Sequence, residues 1–187
     1  NWSWKIGTAF GIPVRLHVSM LLIPFIAFSW VPGSGPLALV TAAALVILLF
    51  GSVLLHELGH ALTARRFGVR TADIILTPLG GMARLIELPS KPRHEIAIAL
   101  AGPLVSLAIS AAAFGLMIPL QLIRIAPDLV LVGLAVLFEL NLMLGLFNLV
   151  PAFPMDGGRV FRAWAARRHG RLRATEYATK LGRALSL

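Results

Sequence analysis

The chain has 187 residues, 58% of them hydrophobic and 13% charged, with a net charge of +9 and no cysteine. A soluble domain carries about a quarter charged residues, so the composition excludes an ordinary soluble protein and points to a lipid bilayer. The length fits one domain, residues 1–187, and the missing cysteines carry no information on redox compartment.

A membrane span needs roughly 20 mostly apolar residues, and four segments approach that. The first, Leu16 to Val31, is short and broken by Pro24. Lys5 and Arg15 precede it, as in a signal peptide, but no small-residue cleavage site follows, so a retained span is preferred. The Gly- and Pro-rich "VPGSGP" then turns the chain into the second segment, Leu37 to about Ala64. Between Gly68 and Arg93 lies the one sizeable polar stretch before the C-terminal tail. There "RTADIIL" and "MARLIEL" read as short strands flanking "TPLGG", a hairpin pattern. The third span, Ile96 to Ile123, has no charge, and the fourth, Leu129 to Met155, has Glu139 before its end. "VPAFPMDGGR" closes the fourth with two prolines and two glycines, so the helix should unwind there. Arg159 to Arg168 has the character of a short basic helix at a membrane surface. "ATEYATKLGRALSL" turns apolar again, as if another span were beginning.

The expected architecture is all-α and polytopic, about four transmembrane helices with a small β-hairpin or sheet near the cytoplasmic face. Sixteen of the 17 basic residues fall on one side of these spans, Arg124 being the exception. In a membrane protein that asymmetry sets topology rather than nucleic-acid binding. It predicts a multi-pass protein of the cell membrane with a cytoplasmic N-terminus. The second and fourth spans would both run from outside to inside.

"HELGH", His56 to His60, ends the apolar run of the second span. Histidines at i and i+4 share a helix face and can bind one zinc ion. Glu57 beside them can take a proton from a zinc-bound water. Ionisable groups so close together inside a span are costly, which favours metal binding over simple helix packing. A catalytic zinc takes three protein ligands and an open position. His56 lies nine residues before Arg65, about 14 Å along a helix, so the site should lie within the membrane, toward the cytoplasm. Asp156, at the same end of the fourth span, is the best third ligand, whereas Asp128 lies at the opposite face.

With "HELGH" and "NLVPAFPMDGG" both in view, the sequence resembles the site-2 protease family of intramembrane zinc metalloproteases. "GIPVRLH" at 11–17 and "AGPLVSL" at 101–107 resemble further motifs of a bacterial and archaeal branch. That branch often carries a C-terminal pair of nucleotide-binding CBS domains; nucleotide regulation is not argued from these residues. The resemblance implies one zinc per chain on His56, His60 and Asp156, with Glu57 as catalytic base. It implies that Asn148, Pro151 and Pro154 help to hold substrate, a single membrane-spanning helix of another protein. Such a helix must unwind before hydrolysis, and a strand edge around Gly80 and Gly81 is the candidate to receive it by β-augmentation. The family has further spans after the aspartate motif, so this core is expected to stop short of them.

His17 reads as structural or interfacial, His94 and Glu95 as the start of the third span, where an acid favours the helix N-terminus, His169 as solvated, and Asn141 as structural. Glu139 reads as structural or as lining a water path. The rival class is a membrane scaffold or transporter in which zinc is structural or absent. A structural site would need a fourth protein ligand, and none lies at the right depth.

Overall fold

The computed structural model describes residues 2–31, 35–78, 80–89, 91–124 and 126–169, with the side chains of 30, 37 and 167–169 undescribed. Strands β1 (Ser3–Ala9) and β2 (Ile12–His17) lead through a 3-10 turn, Val18–Leu22, into a short helix α1 (Ile23–Trp30). The long helix α2 (Pro36–Arg66) follows, then β3 (Thr71–Thr77) and β4 (Gly80–Leu85). Helices α3 (Pro92–Ile123), α4 (Asp128–Asn148) and α5 (Asp156–His169) complete the described chain.

Three helices, α2, α3 and α4, are long and apolar enough to cross a membrane. The expected first span is shorter than a crossing because its start belongs to a sheet. Ile12 and Val14 alternate inward on β2, and His17 ends that strand, its Nδ1 2.7 Å from Ser19 Oγ at the head of the 3-10 turn. The expected hairpin is therefore half of a four-stranded sheet in the order β1-β2-β3-β4. β1 and β2 are antiparallel and joined through Phe10 and Gly11, both at positive φ. That geometry suits a tight two-residue hairpin turn, but Phe10 is not a residue that announces one. β2 and β3 pair in parallel, Val14 opposite Ile74, with α1 and α2 forming the crossover.

One face of the sheet packs on the second half of α2. Val14, Ile74 and Leu76 meet Val53, Leu58 and Ala61 in one core. α2 stops at Arg66, where Gly68 has a positive φ and the Val69 amide donates to the Ala64 carbonyl. α3 packs between α2 and α4 and also carries α5. The helix expected from Leu129 to Met155 ends at Asn148, and residues 149–155 form an irregular turn around Pro151 and Pro154. The basic helix after it is α5. The apolar C-terminal stretch and its basic residues lie outside the described residues.

The outward faces of the spans are apolar: Phe25, Leu39, Ile47 and Leu122 are all exposed. Trp4 on β1 and Trp2 just before it are exposed as well, as tryptophans are at a membrane–water interface.

Candidate metal centre

His56 and His60 lie on successive turns of α2, each only 3% exposed. Asp156 opens α5 and meets them from the other side. Its Oδ2 lies 3.3 Å from His56 Nε2 and 3.0 Å from His60 Nε2, and the two ring nitrogens are 3.2 Å apart. Among the described residues these three form the one cluster able to hold a metal.

The proton inventory decides what belongs between them. His60 Nδ1 lies 2.7 Å from the Ile98 carbonyl. A carbonyl only accepts, so Nδ1 donates and the neutral ring has a bare Nε2. His56 Nδ1 lies 2.9 Å from the buried Ser106 hydroxyl, which can hold that ring in the same tautomer. With both rings in that tautomer, two imidazole lone pairs and a carboxylate oxygen converge on one point, a donor set that a cation would bridge. A tetrahedron with zinc-ligand arms of about 2.0–2.1 Å has edges of about 3.3 Å, close to the three separations here. The residues fit zinc.

The approach is close because small residues allow it. A Cβ at Gly102 of α3 would overlap the His60 ring and lie 2.7 Å from His56 Nε2. Gly157 and Gly158 press the start of α5 against residues 149–153; a Cβ at Gly158 would lie 2.7 Å from the Ala152 carbonyl oxygen. That contact turns Asp156 toward α2. α5 is also tied to α3 by an ion pair between Arg162 and the buried Glu95. Glu95 therefore does more than cap the start of α3, and His94 stacks on Phe67.

Glu57, 7% exposed, points toward β4, where its Oε2 accepts a hydrogen bond from the Ala83 amide at 2.7 Å. Gly81 makes room for it, since a Cβ there would lie 2.8 Å from the Glu57 carboxyl carbon. Glu57, the three clustered residues and Arg159 face a cavity of about 640 Å³. Asn148, Pro154, Gly80 and Gly81 line it too, and Asn148 donates to the Leu144 carbonyl within its own helix. Pro151 does not reach this cavity. It lines a separate apolar recess with Ile96, Leu100 and Trp164, because the turn after α4 carries it to the α3–α5 side. Asn141 donates to Ser52 of α2 and to the Leu137 carbonyl, a structural role as expected, with Ser52 as its interhelical partner.

Sequence reasoning singled out neither Gly102, Ser106 nor the Ala83 amide. Gly102 and Ser106 lie inside "AGPLVSL", but nothing in an uncharged helix says which of its residues touch a histidine 40 or more positions away.

The family model described as peptidase family M50 matches residues 44–130 and 123–187. The chain belongs to that family. Within family M50 it is 40% identical to a zinc metalloprotease of Methanocaldococcus jannaschii over 192 residues, covering 100% of this chain and 52% of that protein. It is 33% identical to stage IV sporulation protein FB of Bacillus subtilis over 117 residues, covering 58% of this chain and 35% of that protein. A solved structure of a site-2 protease from Methanocaldococcus jannaschii superposes with a TM-score of 0.74 at 37% identity, covering 98% of this chain and 81% of that one. The M50 chain described here spans about half the length of the curated relatives it matches.

Proposed function

We propose that this chain is the core of an intramembrane zinc metallopeptidase that hydrolyses peptide bonds in the membrane-spanning helices of other proteins. The observation that carries the reading is the convergence of His56 Nε2, His60 Nε2 and the Asp156 carboxylate beside Glu57 in one cavity. One zinc per chain would be held by His56, His60 and Asp156. When bound there, zinc supplies Lewis acidity toward the scissile carbonyl and lowers the pKa of a water toward about 7. Among the described residues no fourth ligand joins the cluster, in keeping with an open catalytic position rather than a closed structural one.

The remaining steps belong to the protein. The Ala83 amide holds one oxygen of Glu57, which leaves the other to take a proton from the attacking water. Glu57 then passes that proton to the departing amine, and no covalent intermediate is required. β4 is an edge strand of the sheet, and with Gly80 and Gly81 at the cavity it can receive an unwound substrate segment as an added strand. Asn148 and Pro154 line the same cavity and would contact that segment. The basic residues clustered at this end of the helices support a cytoplasmic side for the site.

The test is zinc per chain, by elemental analysis of detergent-purified protein, with Asp156→Ala alongside. About one zinc in the parent and clearly less in the variant is the expected result. A folded parent that takes up no zinc when zinc is supplied would end the reading. Glu57→Gln should retain zinc and stop cleavage; unchanged cleavage would remove Glu57 as the base.

A further inference from the structure

Glu139 has no role in the chemistry above, yet it is a carboxyl midway along α4, whose other carboxyl, Asp128, opens the helix. It is exposed, and among the described residues no hydrogen bond or ion pair reaches it. It lies about 14 Å from Asn148 along the helix, nine residues at 1.5 Å each, so it sits deep in the hydrocarbon. A carboxyl there needs a hydrogen-bonding or charged partner.

Its surroundings form a second cavity, of about 480 Å³, between α1, α2 and α4. Ile23, Ile26, Leu45, Leu49 and Leu140 make its walls apolar, and Glu139 is the one ionisable residue among them. This cavity adjoins the metal cavity along one groove. Leu49 and Leu140 line the first; Val53 and Leu144, one turn further along the same two helices, line the second. A helix lying in the α2–α4 groove with its cleaved segment at the metal centre would pass Glu139.

We propose that Glu139 is a specificity-determining residue: it selects substrate helices that carry a Lys or Arg about seven to ten residues outward of the cleaved bond. The inference rests on the protease reading of the metal cavity. A second copy of this chain does not fit the role. Its residues 18–31, 36–55, 96–123 and 129–148 contain no Lys, Arg or His, so none of these four segments has a cation to present at that depth. Lipid acyl chains can fill the apolar walls but offer nothing to the carboxyl. A cationic side chain arriving on a substrate helix would satisfy the carboxyl and lose its own unpaired state in the same step.

The test uses the 187-residue chain in phospholipid vesicles. The probes are synthetic 23-residue Leu/Ala helices, one without a charge and a set with a single Lys moved along the outer half. Binding is read by energy transfer and cleavage by mass spectrometry. The parent should bind one register of the Lys helices about tenfold better than the uncharged helix, the scale of one interhelical polar contact in a membrane. In Glu139→Gln the ratio should fall to about one, and Glu139→Lys should prefer helices with Glu at that register. Equal binding of all helices by the parent, or an unchanged ratio in Glu139→Gln, overturns the inference. The two readings fail separately. Cleavage without Lys preference removes the role of Glu139 and keeps the protease. Lys preference without cleavage keeps the docking site and removes the protease.

Discussion

Gly51 and Gly59 lie two turns apart on α2, and their surroundings differ completely. A Cβ added at Gly51 would meet nothing within 4 Å, whereas at Gly59 it would lie 2.8 Å from the Ala101 carbonyl oxygen and 3.0 Å from Val105. The contrast extends to both ends of the molecule. Gly115 and Gly133 also face open space, while Gly81, Gly102, Gly157 and Gly158 all lie where a methyl would collide. In the outer half, helices meet through side chains and present Leu39, Ile47 and Leu122 outward. Around the histidines the close glycines receive a side chain, as at Gly81 and Gly102, or backbone, as at Gly59, Gly157 and Gly158, and Ala61 and Ala64 are fully buried. Hydrophobicity does not distinguish the halves, since helix and lipid are equally apolar. Close approach does, because small residues let polar groups be placed within ångströms of each other.

The sharpest way to break this contrast is a single methyl on α3. Gly102→Ala should abolish zinc binding in protein that still purifies as a monodisperse species, because the new Cβ occupies the space of the His60 ring. Gly115→Ala, in open space on the same helix, should leave one zinc per chain. Elemental analysis of the two proteins side by side decides it. Equal zinc in both would mean that α3 can withdraw and that the close packing does not shape the site.

A milder change sharpens the same point without adding bulk. Ser106→Ala removes the hydroxyl beside His56 Nδ1 but keeps the helix packing. Groups that hold a ligating histidine in register are worth about 10–100-fold in metal affinity. Zinc affinity, measured by chelator competition, should fall by about tenfold. An unchanged affinity would mean that the tautomer of His56 is set by zinc alone.

These two residues also mark where sequence reading stops. His56, Glu57, His60 and Asp156 were legible because ionisable groups inside apolar runs are expensive, and because the i, i+4 spacing and the proline break have direct geometric meaning. The β3–β4 pair and the end of α4 before Pro151 were legible from turn residues. The first two strands were not: Leu16 to Val31 has enough apolar residues to pass for a span, and Phe10 gives no turn signal. Pro151 was expected beside the site, but a turn of seven residues can send neighbouring positions to opposite sides of α5. Gly102 and Ser106 act through tertiary contact alone, with no local pattern to reveal it.

The smallest expected effect lies in the sheet, which differs from the apolar spans in its response to acid. Arg84 donates two hydrogen bonds to Asp73 across β3 and β4, at 2.6 and 2.5 Å, and Arg15 approaches to 4.0 Å. The hydrogen bonds from Arg84, opposed by burial and aided by both guanidinium charges, hold the Asp73 carboxyl below its ordinary range. A carboxyl depressed in the folded state adds stability that is fully present above its unfolded pKa, about 3.9, and is lost as pH falls through the folded value. Amide exchange in β3 and β4 should therefore quicken below about pH 4, after correction for intrinsic rates. Asp73→Asn should lose that dependence. Residues 106–123 of α3 contain no titratable group, so their protection should stay flat over the same range and serve as the internal reference. If β3 and β4 in Asp73→Asn lose protection at low pH as the parent does, the acid response belongs to another group, and Asp73 is only a neighbour of it.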